Sequence, residues 1–160
     1  MELIAPDLTL IPSRPAYAFN TYLMGGVLVD AATRHAEGRL RRALRDTPPH
    51  AHALTHVHAD HQGSSHALCR ELGLPLWCPH GEADAMEAGR LAAPEPTHPI
   101  IRLQRRYWSG PGHPVARRLR EGDEVGGFTV VETPGHSPGH ISYWRESDRV
   151  LVAGDVLVVC

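Results

Sequence analysis

The chain has 160 residues, 42% of them hydrophobic and 21% charged, with a formal net charge of −2. That length suits one domain over 1–160 rather than two, and the near-neutral charge gives no general pull toward nucleic acid or an anionic membrane. All 16 basic residues are arginines, which excludes a Walker lysine, a Schiff-base lysine and a Ser-x-x-Lys nucleophile.

In chain order, Leu8 to Ile11 reads as a short strand stopped by Pro12. Ala16 to Met24 and Val27 to Asp30, joined by Gly25-Gly26, read as a hairpin. Leu40, Ala43 and Leu44 recur at helical spacing within 33–45, and Pro48-Pro49 ends that helix. Ala51 to Thr55 predicts a strand, Ser64 to Leu72 a helix stopped by Gly73, Leu74 to Cys78 a strand and Glu82 to Leu91 a helix. Residues 92–122, broken by prolines (Pro94, Pro96, Pro99) and glycines, read as a solvated loop with short helices. Their arginines (102, 105, 106, 117, 118 and 120) leave open a lid that meets an anionic substrate. Three strands follow, Phe128 to Glu132, His140 to Trp144 and Arg149 to Ala153. The alternation of strand and helix predicts an α/β or α+β architecture.

The chemistry concentrates in Thr55-His-Val-His-Ala-Asp-His-Gln-Gly63. Three imidazoles (His56, His58, His61) and Asp60 within six positions suit zinc, with iron, manganese and cobalt also open. On a strand, His56 and His58 would share a face with Val57 turned into the core. Asp60 and His61 would lie beyond the strand end, so the cluster offers two ligand pairs and two adjacent metals, about 3.5–4 Å apart. His136 stands in Thr133-Pro-Gly-His-Ser-Pro-Gly139, a loop stiffened on both sides. Asp155 follows the apolar run Val150-Leu-Val-Ala-Gly154 and is read either as a turn residue or as a group presented at a strand end. His140 is expected to begin a strand or support the site. The cysteines Cys69, Cys78 and Cys160 form no Cys-x-x-Cys pair, and the N-terminus has no signal-peptide pattern. The expected location is therefore cytoplasmic, with no membrane span.

His-x-His-x-Asp-His, then Thr-Pro-Gly-His-Ser-Pro-Gly-His, then Gly-Asp after an apolar strand, in that order along the whole chain, resemble the metallo-β-lactamase-fold hydrolases, most closely the glyoxalase II-like branch. The resemblance implies an α+β fold, an αββα sandwich with metals at one edge. His56, His58 and His136 would hold the first metal, Asp60 and His61 the second, and Asp155 would bridge both. Asp30 would support them. It also implies one or two Zn2+ (Fe or Mn as alternatives) and hydrolysis of a small-molecule acyl substrate (an ester, thioester or lactone) by a metal-bound hydroxide, with Asp60 orienting it. Persulfide dioxygenases using a single iron, and an inactive metal-binding fragment, are the alternatives; a nucleic-acid partner is not expected. The family places a further second-metal histidine well downstream of the bridging Asp, whereas the chain ends five residues after Asp155. The C-terminal part of the second half of the sandwich is therefore expected to be missing. Val150 to Val159 would expose an apolar strand edge through which copies could pair into a homo-oligomer.

Overall fold

Short β-branched and aliphatic runs separated by glycine turns build two sheets, and the amphipathic segments between them build helices on one side. A computed structural model describes residues 1–92 and 98–156; Pro94 and Pro96, residues 157–159 of the C-terminal run and Cys160 lie outside the described residues. The first sheet contains β1 (Glu2–Ala5), β2 (Leu8–Ile11), β3 (Thr21–Met24), β4 (Val27–Val29), β5 (Ala51–Ala53), β6 (Leu76–Pro79) and β7 (Val115–Leu119), neighbours in chain order. β1 to β4 pair antiparallel, through two-residue turns except for the longer 12–20 loop between β2 and β3, and β4 to β7 pair parallel through crossovers. The second sheet is an antiparallel meander of β8 (Glu124–Val125), β9 (Phe128–Glu132), β10 (Ile141–Arg145) and β11 (Val150–Val152).

The helices are α1 (Glu37–Ala43), α2 (Ala59–Gln62), α3 (Ser65–Leu72), α4 (Ala83–Glu87) and α5 (Pro99–Trp108). α3 stops at Gly73, whose φ of 67° is left-handed, as the sequence predicts. None of the described helices is long and apolar enough to cross a membrane. Leu40, Leu44 and Leu68 pack with Leu23 and Leu28 on one face of the first sheet, and Cys69, Ala83 and Met86 join Leu54 and Leu76 there. The other face carries Leu8, Met24, Val27, Val29, Ala51 and Ala53, which meet Phe128, Val130, Ile141, Tyr143 and Val152 of the second sheet. The layers are thus helix, sheet and sheet around two apolar interfaces. On the outer face of the second sheet, register sets Thr129, Trp144 and Leu151 side by side; Thr129 and Leu151 are exposed and Trp144 is half-buried.

Two turns close the sandwich at one end. Gly25, between β3 and β4, and Gly126, between β8 and β9, meet backbone to backbone. A methyl on Gly25 would overlap the Gly126 carbonyl, and one on Gly126 would overlap that of Met24. At the opposite end β4 runs out at Asp30 and β9 leads into the His136 loop.

Several boundaries differ from expectation. The 16–24 strand is only Thr21–Met24. β5 ends at Ala53, so His56 and His58 lie on a loop, not on a strand face. Within 92–122 the described residues hold a helix, α5, in line with expectation, and also β7, a strand of the first sheet where loop was expected.

Candidate metal centre

Three ligand-bearing segments, residues 56–61, His136 and Asp155, converge beside Asp30, where β4 and β5 end. Asp30 is almost fully buried, and its carboxylate accepts three hydrogen bonds: from Thr55 N–H (2.8 Å), Thr55 Oγ1 (2.8 Å) and His61 Nδ1 (2.9 Å). Since Thr55 gives its proton to Asp30, its Oγ1 accepts from His56 Nδ1 at 3.0 Å. That fixes the His56 tautomer and leaves the Nε2 lone pair bare. His56 Nε2 is buried and has no hydrogen-bond partner among the described residues. Buried nitrogens are rarely left so, and an ion is one explanation of such an orphan.

The distances agree with a shared cation. His58 Nδ1 lies 3.0 Å from His136 Nε2, His136 Nε2 lies 3.4 Å from Asp155 Oδ2, and His61 Nε2 lies 3.3 Å from Asp155 Oδ1. With metal–ligand bonds of about 2.0–2.1 Å, the edge of a coordination tetrahedron is about 3.3 Å. Among the described residues, two groups have ligand atoms within 4.8 Å of one another: His56, His58 and His136, and separately His56, His61 and Asp155. Asp155 faces both, with one oxygen toward His61 and the other toward His136. Asp60 stands further back, 4.0 Å from His61 Nε2 and half-buried, on the first turn of α2. Of the six residues singled out from the sequence, five fall into these two groups and Asp60 flanks them.

The electrostatics favour cation capture at His56 and His58. Burial, then the neighbouring rings of His61, His58, His140 and His136, push the His56 pKa far down. Burial and then His136, His61 and Arg105 bring that of His58 down to about 4, with Asp155 opposing. Neutral rings keep their lone pairs for a ligand. Burial alone would lower His61, but Asp30 and Asp155 outweigh it and hold its pKa well above 6.5. Burial works to raise Asp155, yet His61 and His136 keep it below the usual carboxylate range.

His140 does support the site. It is bonded to Thr133 Oγ1 through Nδ1 (2.8 Å), and its Nε2 accepts the Asp155 N–H at 3.0 Å. A side chain at Gly154 would collide with that ring, so glycine before Asp155 lets the acid swing in.

Glu82 escaped the sequence reading, which treated it as the first residue of a helix. Its buried carboxylate accepts Val57 N–H (2.5 Å) with one oxygen, and Gly139 N–H (2.9 Å) and the Ser137 hydroxyl with the other. One side chain therefore ties the His56–His58 loop to the His136 loop. The only trace in the sequence is an acid just before the apolar Ala83 and Met86.

Beside the ligands lies a cleft of about 210 Å³ bordered by His58, Asp60, Leu91, Arg105, Trp108 and His136.

Comparison with known proteins agrees with this geometry. Residues 18–160 match the family described as the metallo-beta-lactamase superfamily. The probable metallo-hydrolase YybB of Bacillus subtilis is 29% identical over 125 residues, which are 78% of this chain and 53% of that protein. A hydroxyacylglutathione hydrolase of Bdellovibrio bacteriovorus is 31% identical over 109 residues, 65% of this chain and 33% of its own length. The chain thus spans about half or less of these curated relatives. Among solved structures, the B3 metallo-beta-lactamase BLEG-1 superposes with a TM-score of 0.71 at 30% identity, over 95% of this chain and 73% of that one. BJP-1 of Bradyrhizobium japonicum, with a TM-score of 0.68 at 22% identity over 86% of this chain and 53% of its own, shares the fold. On the family match across 18–160, the chain belongs to the metallo-beta-lactamase superfamily.

Proposed function

We propose that this chain carries the centre of a metal-dependent hydrolase of small esters, thioesters or lactones. The observation that carries the reading is the convergence of His56, His58 and His136 with Asp155, at separations that match the edges of a zinc coordination shell. Relatives named as metallo-hydrolases and as hydroxyacylglutathione hydrolases support acyl hydrolysis.

His56, His58 and His136 would hold one cation, and His61 with Asp155 the side toward a second. A bound divalent cation supplies Lewis acidity toward a carbonyl and lowers the pKa of water to about 7. The chain's own residues do the rest. Asp30 and Thr55 lock the His56 and His61 rings, so the donor atoms need no reorganisation. Asp60 borders the cleft beside His58 and His136, where its carboxylate orients an attacking water and takes up its proton. Leu91 and Trp108 give the cleft apolar walls that limit bulk water near the reacting carbonyl.

Elemental analysis of the purified protein together with ester, thioester and lactone assays tests the reading. Zinc, iron or manganese is expected with turnover that chelation abolishes. A folded sample with neither metal nor turnover rejects it. His58→Ala should lose at least one equivalent of metal; unchanged metal content would refute the ligand assignment.

A further inference from the structure

A larger cavity of about 1080 Å³ adjoins the cleft beside the candidate metal centre, and Leu91 and Arg105 border both. Five arginines line this cavity: Arg34, Arg90, Arg102, Arg105 and Arg106. That is almost a third of all the basic residues in a chain of net charge −2, and no acidic side chain is among the described residues of the lining. The arginines come from three elements: the 3-10 turn after β4, the segment after α4, and one face of α5, where 102, 105 and 106 fall at i, i+3 and i+4.

The arrangement is held in place. A methyl on Gly110 would overlap the Gly63 carbonyl, so the chain leaving α5 lies directly against the end of α2. Trp108 meets Phe19 edge-on at 5.2 Å, and the Tyr107 carbonyl lies 3.0 Å from His35 Nε2. Among the described residues, Arg34, Arg90 and Arg106 take no ion-pair partner. Guanidinium groups present planar forks that bind carboxylate and phosphate oxygens in pairs.

Resting on the hydrolase reading above, we propose that the arginine cavity is a subsite for an anionic arm of the substrate. The reacting carbonyl occupies the small cleft at His58, Asp60 and His136, and a carboxylate- or phosphate-bearing portion extends across Leu91 and Arg105 into the cavity. At about 210 Å³ the cleft alone is smaller than the ~300–1,000 Å³ of ordinary ligand sites, so most of a substrate must lie outside it. The substrate class is then an anionic ester or thioester, not a neutral one.

The test compares acetyl thioesters of three thiols on the zinc-loaded protein: mercaptoethanol (neutral), mercaptosuccinate (two carboxylates) and phosphopantetheine (one phosphate). The expected result is a kcat/KM at least about tenfold higher for one or both charged thioesters, carried mainly by KM and weakened by salt. The two charged arms separate carboxylate from phosphate. In Arg34→Gln/Arg106→Gln, checked for native folding by circular dichroism, the ratio of charged to neutral kcat/KM should fall toward one, and Arg106→Lys should restore part of it. Calorimetric titration with succinate and pyrophosphate reads the subsite without turnover. Anion binding that weakens in the double variant, with no thioester hydrolysed, would sink the hydrolase reading and leave the subsite standing. Turnover with no preference for charge, or a ratio unchanged in the double variant, would overturn the subsite and leave the hydrolase. Tight, steeply salt-dependent binding of single-stranded RNA that these small anions fail to displace would also overturn it.

Discussion

Two buried residues define what single side chains contribute. Glu82 holds the ligand loops together through bonds to Val57, Ser137 and Gly139. Glu82→Gln keeps the shape but turns an amide group toward backbone donors, so zinc affinity should fall about 10–100-fold in a chelator competition, with the fold retained by circular dichroism. His52 is fully buried between Leu28 O (2.9 Å) and Ser65 Oγ (2.7 Å). Burial lowers its pKa from 6.5 to about 4, against the opposing pull of Leu28 and Asp30. The unfolded chain therefore binds a proton near pH 6.5 and the folded chain only near pH 4. Between these values the unfolded state holds more protons, and stability falls as pH drops. From pH 7 to 5 that loss amounts to about 2 kcal/mol. Urea titrations should show the pH slope shrinking by that amount in His52→Gln; an unchanged slope would assign the acid sensitivity elsewhere. His56, His58, Asp60 and His61 were legible because one short segment carries them all. Glu82 was not, because its partners lie 25 and 55 or more positions away and no local pattern reports such a pairing.

Among elements, strands with unbroken aliphatic runs announced themselves, and β2, β4, β9 and α3 match their expected spans within one or two residues. β7 did not. Its Val-Ala-Arg-Arg-Leu alternates half-buried and exposed positions on a sheet edge, so propensity alone could not separate it from the glycine- and proline-rich chain before it. β1 and β8 were missed as well, the first largely exposed and the second only two residues long. α2 was hidden by its four-residue length, although that single turn carries Asp60 and His61 toward the site. α5 depends for its placement on Gly110, pressed against Gly63. Gly110→Ala should cost about 1–3 kcal/mol by overpacking, read as a lower unfolding midpoint, and should shift the Trp108 emission as the helix end is displaced. A variant with native midpoint and spectrum would show that α5 is not packed there.

At the scale of the whole molecule, the candidate ligands come from both sheets: His56, His58 and His61 follow β5, whereas His136 follows β9 and Asp155 follows β11. A cation at that point cross-links the two layers. Added zinc should therefore raise the thermal midpoint, each tenfold excess over Kd adding about 1.4 kcal/mol. EDTA should reverse the rise, and His136→Ala should abolish most of it. A midpoint indifferent to zinc would mean that the layers are not joined there. The glycine pair Gly25 and Gly126 acts at the far end of the same sandwich, about 16 Å from Asp30, five residues further along the β4 segment. It makes the two sheets a pair of tongs with that contact as the fulcrum and the imidazoles at the tips. A methyl group added at the fulcrum would spread the grip while touching none of the groups that close it.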